Sequence, residues 1–388
     1  MKVYFISENY FPNVSGVPVV VRYLAEGLTT KGFEVHVVTT RFRDCPDEEE
    51  IGGVLVHRFG IYKNFWHQAK GDIDSYLTFV KGCDADILVL ECSQCITTDL
   101  LLPYIAELPG KKVFHSHGFS GMLVPFFSIK PSFVHTLGTT YNWLNAQIYF
   151  KHTLKKALKH FDTSLCLSSV DNSKNYLETY CRSCYVLDNA ADDAFFLSVE
   201  DSLLNKYANL SNSRYLISCA NYSFVKNQKE ILRQFYLSES SKQTSLVCIG
   251  SQKNSYYEEC LALKEELDRK IGIRDVHLLY GVDREDIPSI LKGASLYLVT
   301  SRYEQYSISI IEAMSQGVPF VSTDVGNAKV LPGGITVAKV SDISSVIDSL
   351  LADELRYSEL SIKGRDFAFN NCRISAVVDR LNDIFEKL

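Results

Sequence analysis

Hydrophobic and polar positions follow a repeating pattern along most of this 388-residue chain. Continuous apolar runs, such as residues 3–6 and 296–299, alternate with longer segments whose apolar residues recur every three or four positions. The runs are typical of strands buried on both faces of a parallel sheet, and the periodic segments are typical of amphipathic helices. This alternation predicts the α/β class, with helices on both faces of doubly wound parallel sheets.

The predicted elements fall into two series, separated by a polar segment at residues 201–213. The first series has predicted strands at residues 3–6, 33–39, 54–59, 87–91, 112–117, 162–167 and 183–187. Its predicted helices are 19–31, 72–81, 99–108 and one that is capped by Ser168 or Ser169 and runs to about Tyr180. The second series has predicted strands at 215–219, 245–249, 276–280, 296–299 and 320–323, and predicted helices at 257–271, 307–316, 343–351, 355–369 and 374–388.

The length of the chain also favours two domains of ordinary size. We place the first domain at residues 1–188 and the second at 189–373, with the last helix, 374–388, following the second domain. The formal net charge of −6 offers no basic footprint for nucleic acid. No apolar run reaches the length of a membrane span, and Glu8 and Asn9 interrupt any signal-like stretch, so a cytosolic protein is expected.

The eleven cysteines are scattered, and two pairs have the Cys-Xaa-Xaa-Cys spacing. Cys92 and Cys95 form one pair, and Cys181 and Cys184 form the other. A zinc site built from both pairs is one interpretation. Buried reduced thiols are the favoured one, because the pairs lie far apart in sequence and have no pattern of flanking histidines.

One stretch, residues 300–319, combines a loop and a helix start with chemically informative side chains. Glu304 lies in the loop after the strand 296–299, and Glu312 lies just over one turn inside the helix. The backbone N–H groups near Tyr306, Ser307 and Ile308 have no intrahelical partner and are expected to face an anion. Two carboxylates flanking such a helix start can accept hydrogen bonds from sugar and ribose hydroxyls, and Gly317 is expected to end the helix.

The same stretch resembles the signature of the retaining glycosyltransferases of family 4, which have the GT-B fold. The match comprises Glu304, seven residues, Glu312, Ala313-Met314 and then Gly317-Val318-Pro319. The resemblance implies two Rossmann-like domains that face a central cleft, with the nucleotide sugar in the C-terminal domain and the acceptor in the N-terminal one. It also implies that the final helix packs back on the N-terminal domain, and that a hexose is transferred with retention and without a metal or other cofactor.

The resemblance extends to two positions in the N-terminal half. Gly16 lies in the loop after the first strand, where the family has a glycine-rich loop, and Ser15 stands in place of its first glycine. His117, at the end of the strand 112–117 and followed by Gly118, matches a family histidine that contacts the donor sugar. His115 shares a strand face with His117 by the two-residue period, and a structural role is favoured for it.

In the C-terminal half the resemblance marks the phosphate and base positions. Lys226 matches a family lysine that holds the donor diphosphate, whereas Asn221 stands where the family has an arginine. Gly250 follows a strand of the second series, and Gly281-Val282 matches the turn beside the nucleotide base. The implied roles are His117, Glu304 and Lys226 at the reacting centre, and Gly16, Asn221, Lys226, Gly250, Val282, Glu304, Tyr306, Ser307, Ile308 and Glu312 around the donor.

The overall prediction is a hexosyltransferase that uses a nucleotide-diphosphate sugar, with UDP favoured, and a glycan or lipid-linked acceptor in cell-surface polysaccharide synthesis. An apolar run at residues 121–127 and a helix bearing Lys151 and Lys155 allow peripheral contact with the inner face of a membrane, although a buried run and a solvated face are favoured. The Asp-Xaa-Asp triplets at residues 72–74 and 84–86 are interpreted as a helix start and a turn rather than metal ligands. Two alternatives stay open: a sugar-nucleotide epimerase of the same fold, and a catalytically silent partner subunit, suggested by Asn221.

Overall fold

The computed structural model describes residues 1–13, 16–65, 68–119, 133–197, 203–212 and 214–388, with only the backbone described at 133–139 and 141. The chain divides into two compact units. The first comprises Met1–Asp188 and Val377–Leu388, and the second comprises Asn189–Ala376. The division after Asp188 coincides with the boundary inferred from the sequence.

The first unit is built on a sheet whose strand order is β10-β9-β8-β7-β1-β2-β4-β3. Its strands are β1 (Lys2–Ile6), β2 (Glu34–Thr40), β3 (Glu48–Ile51), β4 (Val54–Phe59), β7 (Ile87–Glu91), β8 (Lys111–His115), β9 (Thr163–Cys166) and β10 (Cys184–Val186). A separate hairpin contains β5 (Ile61–Lys63) and β6 (Ala69–Gly71). Only β3 pairs antiparallel within the large sheet, so helices connect most of its strands in the doubly wound manner.

Helices of the first unit connect these strands. They are α1 (Val17–Thr30), α2 (Ile73–Gly82), α3 (Ile96–Leu101), α4 (Phe133–Ile148), a π-helical segment (Tyr149–Leu154), α5 (Lys155–Leu158) and α6 (Lys174–Tyr180). The β7 strand is buried along its whole length, which explains why its sequence is a continuous apolar run that ends in a carboxylate.

The second unit contains a sheet of parallel strands in the order β13-β12-β11-β14-β15-β16. These strands are β11 (Tyr215–Cys219), β12 (Ser245–Gly250), β13 (Val276–Tyr280), β14 (Leu296–Val299), β15 (Phe320–Thr323) and β16 (Gly334–Val337). The strand order reverses direction between β11 and β14, so the loops after these two strands flank the switch point where ligands bind in doubly wound sheets.

Helices α7 (Gln228–Leu237), α8 (Ser255–Ile271), α9 (Ile287–Lys292), α10 (Ile308–Ser315), α11 (Ile343–Ala352) and α12 (Glu354–Asn371) belong to the second unit. The last helix, α13 (Ile374–Phe385), begins in the second unit and continues in the first. Its buried residues, Val377, Val378, Leu381, Ile384 and Phe385, form one apolar stripe. Val378 packs against Gly27 of α1, and Arg380 donates to Asp188 at 2.8 Å. Most of α13 therefore packs as part of the first unit.

Several sequence predictions for individual elements are corrected. Strand β8 ends at His115 rather than at residue 117, and the helix expected at 99–108 is α3 followed by a 3₁₀ turn, Leu102–Tyr104. Neither Ser168 nor Ser169 caps α6, because the Asp171 carboxylate accepts from the N–H groups of Leu167 and Ser173 and closes a turn there. Strand β3 was not predicted, since its glutamates show no apolar run.

The cysteines are free, as expected, although Cys92, Cys95 and Cys184 are only partly buried, and the aspartate triplets lie at a helix start and directly before a strand. All eleven cysteines are free thiols, and neither Cys-Xaa-Xaa-Cys pair belongs to a group of potential metal ligands among the described residues. Asp72 precedes the first residue of α2, and Asp84 and Asp86 both contact Lys2 before β7 begins. The apolar run at 121–127 lies outside the described residues, and no described helix is long and apolar enough to span a bilayer.

Candidate functional site

A pocket lies at the carboxyl ends of β11 and β14 in the second unit. Its lining residues are Ser218, Ala220, Lys226, Tyr297, Val299, Thr300, Ser301, Glu304 and Ser309. Two of the residues singled out in the sequence, Lys226 and Glu304, therefore meet here although they are far apart in the chain. The pocket coincides with the switch point of the sheet.

Lys226 and Glu304 form an ion pair, with Nζ 2.6 Å from Oε1. The Ser301 hydroxyl donates to the same carboxylate oxygen at 2.7 Å. The Glu304 side chain is only 10% exposed, whereas that of Lys226 is 32% exposed. A largely buried carboxylate with two donors is fixed in place, and the more accessible ammonium can turn toward an anion that enters the pocket.

Hydrogen bonds between two loops hold this pair in position. Asn227 adopts a left-handed conformation, with φ 56°, and its Nδ2 donates to the carbonyl of Thr300 at 3.2 Å. In return the Thr300 hydroxyl donates to the carbonyl of Asn227 at 2.9 Å, and the N–H of Arg302 donates to Val225 at 2.8 Å. The loop after β11 and the loop after β14 are thus joined next to the residues that carry the charges.

The start of α10 differs from the sequence prediction in one respect. The N–H of Ser307 donates to Oδ1 of the buried Asn327 at 2.8 Å, so it is not free for an anion. Ile308 is the first residue of the helix, and Tyr306 is buried just before it. A capping side chain from a distant loop cannot be inferred from the local sequence, and it takes one of the three expected donors.

The end of α10 is as predicted. Gly317 has φ 74°, its N–H donates to Met314, and the N–H of Val318 donates to Ala313. These two bonds form the Schellman arrangement, in which a glycine in the left-handed region ends the helix. The ending places Pro319 directly before β15.

Glu312 has a partner that the sequence did not indicate. Arg284, in the loop after β13, donates to both oxygens of the Glu312 carboxylate, and its guanidinium carbon lies 4.5 Å from the centre of the Phe195 ring. The Glu312 side chain is 5% exposed, and that of Arg284 is 62% exposed. Burial acts to lower the pKa of Arg284, but the Glu312 charge and its hydrogen bonds raise it overall. A ribose hydroxyl that approaches Glu312 would share the carboxylate with Arg284.

Asn221 and Gly250 have structural contacts of their own. Oδ1 of Asn221 accepts from the N–H of Ser251 at 3.3 Å, so this amide joins the turn after β12 and brings no charge. A side chain at Gly250 would meet the Tyr222 ring at 2.4 Å, which explains the glycine by packing. Val282 follows Gly281, whose φ of 65° and N–H bond to Ser251 shape the turn after β13.

The first unit contains a buried cluster at the carboxyl ends of β7 and β8. Oε2 of Glu91 lies 2.5 Å from Nε2 of His117 and 3.1 Å from Nδ1 of His115. The two imidazole rings lie 3.8 Å apart, centre to centre. Glu91 and His115 are direct neighbours in the parallel pairing of the two strands. His117 lies beyond the strand and has φ 50°, so the two-residue period does not continue to it.

The electrostatics of this cluster favour an ionised carboxylate and a neutral histidine. Burial acts to raise the pKa of Glu91, but the two imidazoles lower it to about 2. Burial and the adjacent His115 lower the pKa of His117, outweighing the effect of Glu91. Glu91 was not identified from the sequence, although its position at the end of β7, beside the end of β8, could have indicated it.

The Glu91, His115 and His117 cluster is the one group of potential metal ligands within the described parts of the chain, with ligand atoms within 4.8 Å of one another. Two ligands about 2.0 Å from a tetrahedral metal would lie about 3.3 Å apart. The 2.5 Å separation between Nε2 of His117 and Oε2 of Glu91 is shorter than this and is a close hydrogen bond. The geometry is that of a hydrogen-bonded group.

Gly16 lies directly before α1, with φ 59°, and a side chain at this position would meet no atom within 4 Å. The conformation requires a glycine, and the surrounding space is open. Ser15 lies outside the described residues. Gly16, His117 and the pocket residues thus each lie at the carboxyl ends of strands within their own unit.

The whole chain is similar in fold to the following solved structures. Sucrose-phosphate synthase from Thermosynechococcus elongatus aligns over 100% of this chain and 98% of its own, with a TM-score of 0.74 and 15% identity. HepE of Anabaena, solved in complex with UDP, aligns over 100% of both chains, with a TM-score of 0.70 and 14% identity. Two units with doubly wound parallel sheets, and this likeness, define a protein of the GT-B class.

Sequence comparisons also find similar proteins. Residues 200–367, which make up most of the second unit, match the model of the glycosyl transferases group 1. Over nearly its full length the chain is also similar to N-acetyl-alpha-D-glucosaminyl L-malate synthase of Bacillus anthracis. The two are 22% identical over 395 residues, which is 97% of this chain and 94% of the relative.

Proposed function

We propose that the protein transfers a hexose from a nucleotide-diphosphate sugar, with UDP as the favoured nucleotide, to a glycan or lipid-linked acceptor. The observation that carries the proposal is the Lys226–Glu304 pair in the pocket at the sheet's switch point. A nucleotide sugar supplies a partner for each member of this pair. Its diphosphate attracts the ammonium, and its sugar hydroxyls donate to the carboxylate.

This exchange suggests how the pocket would act. Lys226 would turn from Glu304 to the diphosphate and stabilise the charge that grows as the glycosidic bond breaks. Glu304, still held by Ser301, would accept from the sugar. In the first unit, His117 would accept from a substrate hydroxyl. Glu312 would accept from ribose, the turns at Gly250 and Val282 would flank the base, and Tyr306 and Ile308 would supply backbone donors. In the first unit, Gly16 would supply a further backbone donor.

We further propose retention of the anomeric configuration and transfer without a metal ion at the diphosphate. The support for a metal-free diphosphate is the lysine in the pocket, since a cationic side chain can take the place of Mg²⁺ there. The support for UDP is the similar structure of HepE, which was solved in complex with that nucleotide. Asn221 contributes no charge, so Lys226 would supply most of the positive side-chain charge at the diphosphate.

The acceptor is proposed to be presented at a membrane surface during cell-surface polysaccharide synthesis. Helix α4 exposes Trp143, Leu144 and Ile148, and exposed Lys151 follows on the next turn. Apolar side chains next to a lysine suit an anionic lipid surface. Sedimentation with vesicles of phosphatidylcholine alone and with added phosphatidylglycerol tests this. Equal and negligible binding to both, or binding unaffected by Trp143→Ala, would remove the membrane part.

The test of the activity is incubation with a panel of UDP-, ADP- and GDP-hexoses without acceptor. A glycosyltransferase is expected to release the nucleoside diphosphate slowly from one donor by hydrolysis, and the first sugar released should keep the donor's anomeric configuration. Conversion of the donor to its epimer, with no release, would identify an epimerase instead. Absence of both turnover and binding for every donor would favour the silent subunit.

A further inference from the structure

The cluster at Glu91 is the most unusual polar arrangement in the described part of the first unit. Glu91 and His115 are each 1% exposed, and the His117 side chain is 6% exposed. Burying an ionised carboxylate is unfavourable unless hydrogen bonds or opposite charges compensate for the lost hydration. Only Oε2 of Glu91 is compensated, since Oε1 and both ring nitrogens of His115 have no hydrogen-bond partner.

The strain at His117 also calls for a reason. A positive φ is uncommon for a non-glycine residue and tends to occur at functional sites. Here the left-handed turn brings the ring back over the carboxyl end of β7, where Nε2 meets Glu91. If strand β8 continued through residue 117, the side chain would instead lie further along the strand, beyond Glu91. The backbone is therefore arranged to form the contact between Glu91 and His117.

From this geometry we propose that Glu91 is a positioning residue for His117 that holds the proton on Nε2 and leaves Nδ1 as a hydrogen-bond acceptor for a substrate hydroxyl. The inference rests on the proposed function for what the substrate is, but the proton position is a property of the chain alone. An ionised carboxylate accepts only, so Nε2 must donate to it. A neutral imidazole with Nε2–H has its lone pair on Nδ1.

Two groups near His117 support this arrangement without replacing Glu91. The His115 ring packs against the His117 ring, which restricts its rotation. Nδ1 of His115 lies 3.1 Å from the same carboxylate oxygen but makes no hydrogen bond to it. His117 is therefore the residue that donates to this oxygen. The low pKa of His117 keeps it neutral near pH 7, as an acceptor at Nδ1 requires.

The proton position can be measured directly on the wild-type protein by two-bond ¹⁵N–¹H spectra of ¹⁵N-histidine-labelled protein. The signals of His117 are assigned by their loss in His117→Gln. The expected result is the Nε2–H tautomer at neutral pH. The Nδ1–H tautomer, or a stoichiometric metal ion found by elemental analysis and lost in Glu91→Gln, would overturn the proposal. This measurement does not depend on activity or on the stability of a Glu91 variant.

The second test measures kcat for turnover of the donor in Glu91→Gln, His117→Gln and the double variant. We expect Glu91→Gln to lower kcat on the order of 10²-fold, the scale for a misplaced group, with the affinity for UDP unchanged because UDP lacks the sugar. The double variant is expected to match His117→Gln alone, since Glu91 acts through His117. Glu8→Gln is the matched control, because Glu8 lies at the same sheet edge but accepts from the N–H of Ile96.

The outcomes separate the two proposals. If the wild-type protein turns over no nucleotide sugar, the proposed function fails while the tautomer measurement still stands. If the wild-type protein is active but Glu91→Gln has normal kcat, or if its effect adds fully to that of His117→Gln, the positioning role of Glu91 is wrong.

Discussion

The described lining of the pocket at the carboxyl ends of β11 and β14 has almost no excess charge. Lys226 and Glu304 neutralise each other, and Asn221 adds hydrogen-bonding capacity without charge. Among the described lining residues, Lys226 is therefore the cation that a nucleoside diphosphate would contact. At the scale of single residues, the strength of donor binding should depend on this balance and should change when one charge is added or removed.

Asn221→Arg is predicted to tighten binding of the nucleoside diphosphate. The position is exposed, so the added ion pair is expected to contribute about 0.2–1 kcal/mol, and the gain should shrink as salt rises. Titration calorimetry at two salt concentrations measures this, with Asn221→Gln as the neutral control. An unchanged affinity, with no salt dependence of the difference, would show that Asn221 does not lie at the phosphate position.

Glu312→Ala is predicted to weaken nucleotide binding by about 1.5–3 kcal/mol, the contribution of a hydrogen bond to a charged group. Its effect on folding should be smaller, since the Arg284 left behind is largely exposed. Arg284→Ala is the matched comparison. It should leave nucleotide binding undiminished but lower the melting temperature more, because it leaves a buried carboxylate unpaired. Calorimetry that shows full affinity in Glu312→Ala would reject the ribose role.

The candidate site residues of the two units differ in how far the sequence could reveal them. Residue type and spacing indicate the chemistry of Glu304 and Glu312, whereas the role of Lys226 is implied by the resemblance to the family. Arg284 and Asn327 reach their partners from loops whose position depends on tertiary packing, so no local pattern predicts them. Glu91 has no motif, and only the pairing of β7 with β8 brings it to the histidines.

At the scale of helices and strands, the hydrophobic pattern was informative where burial was complete. Strands β11, β13, β14 and β15 have the bounds that their apolar runs predict. The pattern failed where polar residues form a strand, as in β3, and where a carboxylate closes a turn, as at Asp171 before α6. Complete burial imposes an apolar composition on a strand, whereas edge strands and turns can form from many sequences.

The contact between α1 and α13 offers a test at this scale. A side-chain carbon at Gly27 would lie 2.4 Å from Cγ2 of Val378, so Gly27→Leu is predicted to overpack the interface and destabilise the protein by about 1–3 kcal/mol. Thermal unfolding measures the loss. Gly82→Ala is the control, because a side chain there meets open space. Full stability in Gly27→Leu would show that α13 does not pack tightly on α1.

For the whole molecule, the proposed role of Lys226 carries an expectation about metal ions. Transfer is predicted to proceed in the presence of EDTA, because Lys226 offers the positive charge that Mg²⁺ or Mn²⁺ supplies elsewhere. The aspartate triplets at 72–74 and 84–86 are engaged in local contacts. The measurement is nucleoside diphosphate release with and without chelator. Loss of turnover on chelation, with recovery on adding Mn²⁺, would contradict the prediction.

The central claim is that Lys226 stabilises the departing diphosphate of a nucleotide sugar. Its most direct test is the rate of nucleoside diphosphate release from the active donor by the wild type, Lys226→Ala and Lys229→Ala. Lys229 is a suitable control, since it lies on the adjacent helix, pairs with Glu259 and is not part of the pocket lining. We predict a rate lower on the order of 10² to 10³ in Lys226→Ala, with Lys229→Ala near the wild type. Equal rates in all three proteins would contradict the claim.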